Sequence, residues 1–323
     1  MNYITLKGVK GNKSIEKKCS RLILGTAGFY QLDDKEQAFK IMDQYVQMGG
    51  NIFDSAHQYI NSEAIVGEWV ESRGIRENIY ILTKGAHPDD GEPGPRVNPE
   101  AITKDLMESL ARLRTDYVDF YALHRDDPNV DIGPIMEVLN EHLDAGRIHA
   151  IGASNWSHTR IQEANNYAAT HGLVGFTFNS PNLSLAQCNR PRWPGCVSVD
   201  EEMANWHKGT QLPLLSWSSQ AGGFFSGRFS PEKRENQEMV EVYYSEANWE
   251  RFTRAQNLAK EKGASTIEIA LAYVLNQPYP TAAIIGPEKV EELLSSIKGA
   301  NIPLTTVEID ELNLRESKTE GVR

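Results

Sequence analysis

Short apolar runs alternate with longer helical patterns eight times along this chain, and this alternation restricts the folds open to it. The apolar runs are typical of buried strands, and the segments between them have the spacing of amphipathic helices. The predicted strands cover residues 22–24, 51–53, 79–83, 118–123, 149–153, 176–178, 214–217 and 282–285. Strands joined by helices form parallel sheets, and eight such units in one chain favour a (β/α)8 TIM barrel over a doubly wound sheet.

The whole chain, residues 1–323, is predicted to form one α/β domain, because no stretch of linker-like composition divides it. Within residues 1–20, two alternating pieces around Gly11 predict a β-hairpin that covers one end of the fold. Two long loops, at about residues 180–197 and 218–247, follow strand ends, and long loops in a compact domain are usually functional. The later part of the second loop is acidic, so we expect it to be solvated and mobile.

The composition excludes several classes of protein. Hydrophobic residues make up 40% of the chain and charged residues 24%, as in soluble globular proteins. The net charge of −11 gives no electrostatic basis for binding nucleic acid or an anionic membrane. No apolar run has the length of a membrane span or of a signal-peptide core, so we expect neither. Its three cysteines are too scattered for a disulfide framework or a zinc site, which predicts a cytoplasmic protein.

Charged and polar side chains stand at the ends of three predicted strands. Asp54, Lys84 and His124 each follow a strand directly, and Tyr59 lies in the loop after Asp54. Because the carboxyl ends of all strands in a barrel share one rim, we expect these four side chains to meet there. A tyrosine phenol has a pKa of about 10, and a lysine ammonium beside it lowers that pKa. With a carboxylate holding the lysine and a histidine orienting a carbonyl oxygen, the set forms an acid suited to carbonyl reduction.

Some residues of this region also have a purely structural interpretation. A carboxylate at a strand end is about as often a helix cap or a loop hydrogen-bond acceptor. His57, beside these residues in the chain, is more often a satisfied loop histidine than a ligand. Arg125, Asp126 and Asp127 could bind a metal by composition, but such a run after a strand is more often a solvated turn. We therefore predict no metal site.

The motifs at these strand ends resemble those of the aldo-keto reductase family. Asp54, Ala56 and Tyr59 match the first signature of that family. Residues 110–124 match the segment that carries its histidine, and residues 146–156 match the segment that contacts nicotinamide. The resemblance extends from about residue 20 to about residue 315. It implies a TIM-barrel oxidoreductase that reduces a small-molecule aldehyde, ketone or sugar carbonyl to an alcohol.

The resemblance also implies roles for individual residues. Tyr59 would be the general acid and base, Asp54 and Lys84 would tune it, and His124 would orient the substrate. Among the residues implied to bind a nicotinamide dinucleotide, Asn179 stands where the family usually has glutamine. The full set is Gly25, Thr26, Ala27, Asp54, Ser154, Asn155, Asn179, Trp217, Ser218, Ser219, Gly222, Gly223, Arg228, Gly286, Lys289, Glu292 and Ser296.

Aromatic residues near the strand ends are candidates for the wall of a substrate pocket. Tyr30 and Trp156 are expected to contact the substrate. Trp193, on a proline-rich loop, fits a pocket wall and a loop anchor equally well. Further aromatic walls are predicted from Phe29, Phe224 and Phe225.

The residues at the adenosine end leave two cofactors open. The family mostly uses NADP(H), which is the first expectation here. A 2′-phosphate would meet Lys289 favourably but Glu288 and Glu292 unfavourably, so NAD(H) is the alternative. Two other functions compete with a reductase, namely a dinucleotide sensor on the same fold with little turnover, and an unrelated barrel lyase or hydrolase.

Overall fold

A computed structural model describes residues 1–11, 13–29, 35–59, 61–88 and 94–315. Two antiparallel strands come first, β1 (Tyr3–Lys10) and β2 (Lys13–Ser20). Eight parallel strands follow and close into a barrel: β3 (Leu22–Gly25), β4 (Ile52–Asp54), β5 (Tyr80–Gly85), β6 (Phe120–Leu123), β7 (Ile151–Ser154), β8 (Phe178–Ser180), β9 (Leu214–Ser216) and β10 (Thr281–Ile285). The predicted TIM barrel is confirmed, and each predicted barrel strand overlaps an observed one.

Helices surround the barrel, and local sequence signals explain where several of them begin and end. They are α1 (Lys35–Gln47), α2 (Ser62–Arg73), α3 (Pro99–Leu113), α4 (Ile132–Asp144), α5 (His158–His171), α6 (Glu201–Thr210), α7 (Gln237–Tyr243), α8 (Glu246–Lys262), α9 (Thr266–Leu275), α10 (Val290–Gly299) and α11 (Thr306–Leu312). The Asn98 side chain caps α3 by accepting the Ala101 N–H at 2.9 Å, and Pro99 occupies the first turn, where no N–H is needed. Gly263 ends α8 with a φ of 63°, a left-handed conformation that favours glycine.

The second long loop differs from the prediction. Its later part was expected to be solvated and mobile, but it contains α7, which is anchored in the core. Met239, Val242 and Tyr243 are buried there. The acidic residues that suggested solvation share this helix with apolar residues, whose burial outweighs the polarity of the segment.

Alternation along the barrel strands decides which side chains face the barrel interior. One apolar cluster lies inside the barrel, separate from the larger cluster between strands and helices. Its strand members are Ile23, Ile52, Leu82, Phe120, Ala122, Phe178, Leu215, Ala282 and Ile284. Because successive side chains of a strand point to opposite faces, the residues two positions further on also face inward. Asp54, Lys84 and His124 have this inward parity at the carboxyl ends of their strands.

The hairpin closes the opposite end of the barrel, as predicted. Leu6 joins the interior cluster, and the Val9 N–H donates to the His149 carbonyl at 2.6 Å. The buried Lys17 ammonium lies 2.7 Å from the Asp119 carboxylate, which precedes β6. With this end covered, the carboxyl-end rim is where a ligand can enter. Among the described residues, no helix combines the length and apolarity needed to cross a membrane.

Candidate active site

A buried lysine is the centre of the rim. Lys84 Nζ lies 2.5 Å from Asp54 Oδ1 and donates a hydrogen bond to the Ser55 carbonyl at 2.8 Å. Lys84 is 2% exposed and Asp54 is 3% exposed. An ammonium that is removed from water in this way keeps its charge only because a carboxylate balances it.

Tyr59 reaches this lysine from the loop after β4. The loop is held by the His57 N–H, which donates to the Lys84 carbonyl at 2.8 Å. Lys84 Nζ lies 5.1 Å from the centre of the Tyr59 ring, so the charge of the ammonium acts on the phenol. The Tyr59 ring lies 5.6 Å from the ring of His124, which is 6% exposed. The structure therefore brings Asp54, Tyr59, Lys84 and His124 together.

The charges of this group set its protonation. Burial opposes the charge on Lys84, but Asp54 and Tyr59 together raise its pKa above the ordinary value, so it is an ammonium at neutral pH. Burial raises the pKa of Tyr59, and Lys84 opposes this only in part. The expectation of a phenol pKa below its ordinary value is therefore wrong for this structure. A raised pKa keeps the phenol protonated, which a proton donor requires.

His124 is neutral for a similar reason. Burial, followed by the charges of Lys84 and Arg125 and then by His87, lowers the pKa of His124 well below its ordinary value. A neutral imidazole carries one N–H, which can donate a hydrogen bond to a carbonyl oxygen without placing a further charge in the site. This protonation state suits a residue that orients a carbonyl group.

The residues expected to contact nicotinamide occupy adjoining strand ends. Asn155, with a φ of 61°, donates to the His124 carbonyl at 3.1 Å and accepts from the Trp217 indole N–H at 3.1 Å. Ser154 donates to the Ser180 carbonyl at 2.8 Å. Asn155 thus links the ends of β6, β7 and β9. Trp217 stays partly exposed, as a residue that stacks against a planar ring must.

The segment after β9 suits a phosphate group. Ser218, Gly222 and Gly223 have φ values of 48°, 61° and 82°, and a backbone turned in this way can present its N–H groups to an anion. Gly222 and Arg228 are exposed. Ser219 is instead buried and donates to the Ile284 carbonyl at 2.8 Å, so it fixes the loop to β10.

The residues expected at the adenosine end are divided between surface and interior. Gly286, Lys289 and Glu292 are exposed, and Lys289 precedes the first residue of α10. The Glu292 carboxylate accepts the Glu288 N–H at 2.8 Å. Ser296 is buried, and its hydroxyl donates within α10 to the Glu292 carbonyl at 2.9 Å. The side chain of Ser296 is therefore turned away from any ligand on this surface.

Residues at the end of β3 pack against the backbone of the site. Gly25 and Thr26 are buried, and the Thr26 hydroxyl donates to the Asp54 carbonyl at 3.1 Å. Ala27 is exposed beyond them. Of these three residues, Ala27 offers a surface to a ligand, and Thr26 fixes the backbone that carries Asp54.

The structure does not bring Asn179 to the rim. Phe178 belongs to the interior cluster, so the next side chain along β8 points outward. Asn179 is fully buried between β8 and α6, where its amide nitrogen lies 3.2 Å from His207 Nε2. The inward position at the end of this strand is taken by Ser180, whose hydroxyl donates to the Leu215 carbonyl at 2.8 Å.

Most of the aromatic residues predicted to line the substrate pocket are also buried away from the cleft. Trp156 is fully buried, and its indole N–H donates to the Arg125 carbonyl at 2.9 Å, so it supports the backbone and does not contact the cleft. The other aromatic residues predicted to line the wall are buried in the outer core as well: Phe29, Phe224 and Phe225. Trp193 is 46% exposed, with its ring centre 5.8 Å from that of Trp217. Tyr30 lies outside the described residues.

Two residues beside His124 were not predicted from the sequence. The His87 ring centre lies 4.8 Å from that of His124, in the loop after β5. Arg125 was expected in a solvated turn, yet it is 6% exposed. A signal for His87 was present, because it follows the strand end at Lys84 by three residues. The burial of Arg125 has no signal in the sequence, because the cover comes from the distant proline-rich loop.

The remaining polar candidates have protein partners. His57 Nε2 lies 2.7 Å from the Glu108 carboxylate, which confirms a satisfied loop histidine. Asp126 lies 3.6 Å from the Arg160 guanidinium. Within the described ranges, no cluster of three or more His, Cys, Asp or Glu side chains could hold a metal ion.

These positions fit a nicotinamide dinucleotide along the rim. Trp217 provides a partly exposed aromatic face, residues 218–228 provide a turned backbone with an exposed arginine, and Lys289 provides a cation. The set offers a stacking surface at one end and phosphate contacts further along. It fits without Asn179 and Ser296.

Comparisons with known proteins agree with this geometry. Residues 21–314 match the Aldo/keto reductase family. The chain is 29% identical to the uncharacterized oxidoreductase YrpG of Bacillus subtilis, over 89% of each chain. It is 28% identical to norsolorinic acid reductase B of Dothistroma septosporum, over 91% of this chain and 78% of the relative. It is 27% identical to the aryl-alcohol dehydrogenase [NADP(+)] of Phanerodontia chrysosporium, over 87% and 76%. The chain is therefore a member of the aldo/keto reductase family.

Proposed function

We propose that this protein is an NADPH-dependent carbonyl reductase in which Tyr59 is the proton donor. The observation that carries the proposal is the buried Lys84, whose Nζ lies 2.5 Å from the Asp54 carboxylate and 5.1 Å from the centre of the Tyr59 ring. An ion pair with only a structural role would not need a phenol beside it at the open rim. Protonation of a substrate carbonyl oxygen does require an acidic group at this place, and the Tyr59 phenol is such a group.

The residues of the chain account for the proton side of the reaction. A bound dinucleotide supplies the hydride that the carbonyl carbon receives. His124, held neutral, donates a hydrogen bond that orients the carbonyl oxygen towards Tyr59. Tyr59 gives its proton to that oxygen as negative charge develops there. The phenolate that remains is stabilised by the Lys84 ammonium, and Asp54 keeps that ammonium in place.

We also propose aromatic aldehydes and ketones as the substrate class. The relatives named above include an aryl-alcohol dehydrogenase and a reductase of norsolorinic acid. In this chain, Trp193 and Trp217 lie beside each other at the rim and are not fully buried. With Trp217 assigned to the nicotinamide ring, the exposed Trp193 indole beside it provides an aromatic surface for a flat aromatic substrate.

The preference for NADPH has independent support. One relative is named for NADP(+). Arg228 and Lys289 are exposed cations at the phosphate segment and before α10. The Glu292 carboxylate is directed to the Glu288 N–H, so part of its charge is already balanced by the start of the helix.

The test is turnover with purified protein. NADPH or NADH is mixed with matched aromatic and aliphatic aldehydes and ketones, and loss of reduced nicotinamide absorbance is followed together with alcohol formation. We expect NADPH to be consumed with aromatic carbonyls in equal amounts to the alcohol formed. Quenching of tryptophan fluorescence by NADPH without turnover of any carbonyl would instead indicate a dinucleotide sensor. Absence of both would contradict dinucleotide chemistry on this barrel.

A further inference from the structure

Arg125 is a buried cation, and none of the described residues provides it with a carboxylate partner. Its side chain donates from Nη1 to the His124 carbonyl at 2.8 Å and from Nε to the Pro194 carbonyl at 3.2 Å. Among the residues that the structure describes, no carboxylate forms an ion pair with its guanidinium, and Nη2 donates no hydrogen bond. Neutral carbonyl oxygens do not balance a full positive charge, so its burial carries an electrostatic cost.

Other buried arginines show why location matters. Arg160, which is 9% exposed, lies within 3.6 Å of Asp126 and 3.0 Å of Glu163, as a structural arginine normally does. Arg251 on α8 also lacks a carboxylate partner among the described residues, but it lies in the outer helix layer and donates to Asn248. A buried arginine whose charge has no carboxylate partner is therefore not by itself evidence of a ligand-binding site. Arg125 differs because it lies at the rim, directly after His124.

Several contacts hold the Arg125 guanidinium in place beside the reacting groups. The Trp156 indole fixes its backbone carbonyl, and the Pro194 carbonyl of the first long loop fixes Nε. Burial is the main influence on both neighbours; the positive charge of Arg125 opposes the rise in the pKa of Tyr59 and adds to the fall in the pKa of His124. Because Nη1 is hydrogen-bonded to the carbonyl of His124, the guanidinium lies beside the residue proposed to orient the substrate, and it is ordered before any ligand arrives.

We propose that Arg125 anchors a carboxylate carried by the substrate close to its reactive carbonyl. This inference rests on the proposed carbonyl reductase function and narrows its substrate class to carbonyl compounds that bear an acid group. An arginine presents parallel N–H donors that match the two oxygens of a carboxylate, and the substrate would supply the negative charge that the described part of the chain does not place beside Arg125.

Matched substrates test this role. The ortho, meta and para carboxybenzaldehydes are compared with their methyl esters, which have nearly the same shape but no charge. In the wild type, we expect at least one acid to react with a higher kcat/KM than its ester. Arg125→Met, which has similar length and no charge, should lower the ratio of kcat/KM for that acid to kcat/KM for its ester by about 10- to 100-fold, mostly through KM for the acid.

Two further variants separate anchoring from a structural role. Arg125→Lys keeps the charge but loses the paired donors, so we expect it to recover part of the preference for the acid. Arg160→Met removes a buried arginine that already has carboxylate partners, so it should leave the acid-to-ester ratio unchanged even if stability falls. An equal loss for acid and ester in both Arg125 variants, or a wild type that prefers every ester, would overturn the proposal.

A binding measurement keeps the inference separate from the proposed function. Calorimetry of benzoate and benzamide in the presence of NADP+ needs no turnover. We expect benzoate to bind the wild type, and its affinity to fall by about 10-fold or more in Arg125→Met, while benzamide binding changes little. If no carbonyl is reduced but this pattern is found, the reductase proposal fails and the anion site stands. Benzoate binding that is absent, or equal in both proteins, would overturn the anion site.

Discussion

The two ends of the barrel each contain a buried lysine–aspartate pair, and the pairs differ in what surrounds them. At the closed end, Lys17 lies 2.7 Å from Asp119 under the hairpin. At the open rim, Lys84 lies 2.5 Å from Asp54. In both pairs the side chains are less than a tenth exposed. The same two residue types are thus buried to a similar degree in two different settings.

At the closed end, the Asp119 carboxylate has further partners besides Lys17. Asp119 also lies 3.0 Å from Arg76, 3.9 Å from His149, and accepts the Ile81 N–H at 2.9 Å. Burial opposes its ionisation, but His149, Arg76 and Lys17 together lower the pKa of Asp119 to about 2. Burial instead dominates at Asp54, whose pKa is raised despite Lys84. A carboxylate with many partners stabilises the fold, whereas the sparsely partnered pair leaves its ammonium available to Tyr59.

The largest effect on activity should follow from replacement of Lys84, the lysine at the rim. We expect Lys84→Met to lower kcat/KM by about 10³-fold, because the phenolate would lose the charge that stabilises it. Lys17→Met is the matched variant at the closed end. It should leave kcat/KM of the folded protein within about threefold of the wild type. Comparable losses of activity in the two variants would remove the functional distinction between the ends.

The largest effect on stability should follow from replacement of Asp119, the aspartate at the closed end. Asp119→Asn leaves Lys17 and Arg76 without their carboxylate, and loss of one member of a buried pair costs about 3 to 5 kcal/mol of unfolding free energy. Urea denaturation of both proteins measures this difference. Activity per folded molecule should be unchanged. Stability equal to that of the wild type would show that the closed-end network does not support the fold.

Acid should weaken the closed end in a defined range of pH. The pKa of Asp119 is about 2 in the folded protein, and that of an unfolded aspartate is about 3.9. The unfolded chain therefore binds the proton first, and this stabilisation is complete above about pH 5 and lost as the pH falls towards about 2. The stability difference between wild type and Asp119→Asn should shrink by about 2 to 3 kcal/mol over that range. A constant difference in urea titrations would contradict the lowered pKa.

The smallest effect is expected at the exposed edge of the rim. Lys289→Glu should raise KM for NADPH by about 5- to 10-fold and change KM for NADH less, because only NADPH carries the 2′-phosphate. Lys298→Glu, at the far end of the same helix, is a control of equal charge change. Steady-state kinetics with both cofactors measure the ratio. Equal changes for NADPH and NADH would remove Lys289 from the phosphate site.

The sequence predicted the barrel and the four rim residues because both depend on local patterns. Alternating apolar and helical segments give the order of strands, and strand ends mark the rim. The alternation of side chains along β8 is a local pattern too, and it contradicts the predicted position of Asn179. Phe178 is apolar and faces inward, so the next residue, Asn179, faces α6, and the inward position belongs to Ser180.

Other features depended on contacts between distant segments. Trp156 and Arg125 follow strand ends, where exposure is usual, but each is covered by packing that no local pattern reports. The acidic composition of the second long loop did not indicate α7, because the three buried residues of this helix contact the core only in the folded chain. The net pKa of Tyr59 depends on how far burial outweighs Lys84, which spacing along the chain does not determine.

Replacement of Tyr59 with phenylalanine tests the central claim most directly, because it removes one oxygen and leaves the ring in place. Turnover of an aromatic aldehyde with NADPH is measured alongside NADPH affinity from tryptophan fluorescence. We predict that kcat falls by about 10³-fold or more while the dissociation constant of NADPH stays within about threefold. Activity close to that of the wild type, with NADPH still bound, would contradict Tyr59 as the proton donor.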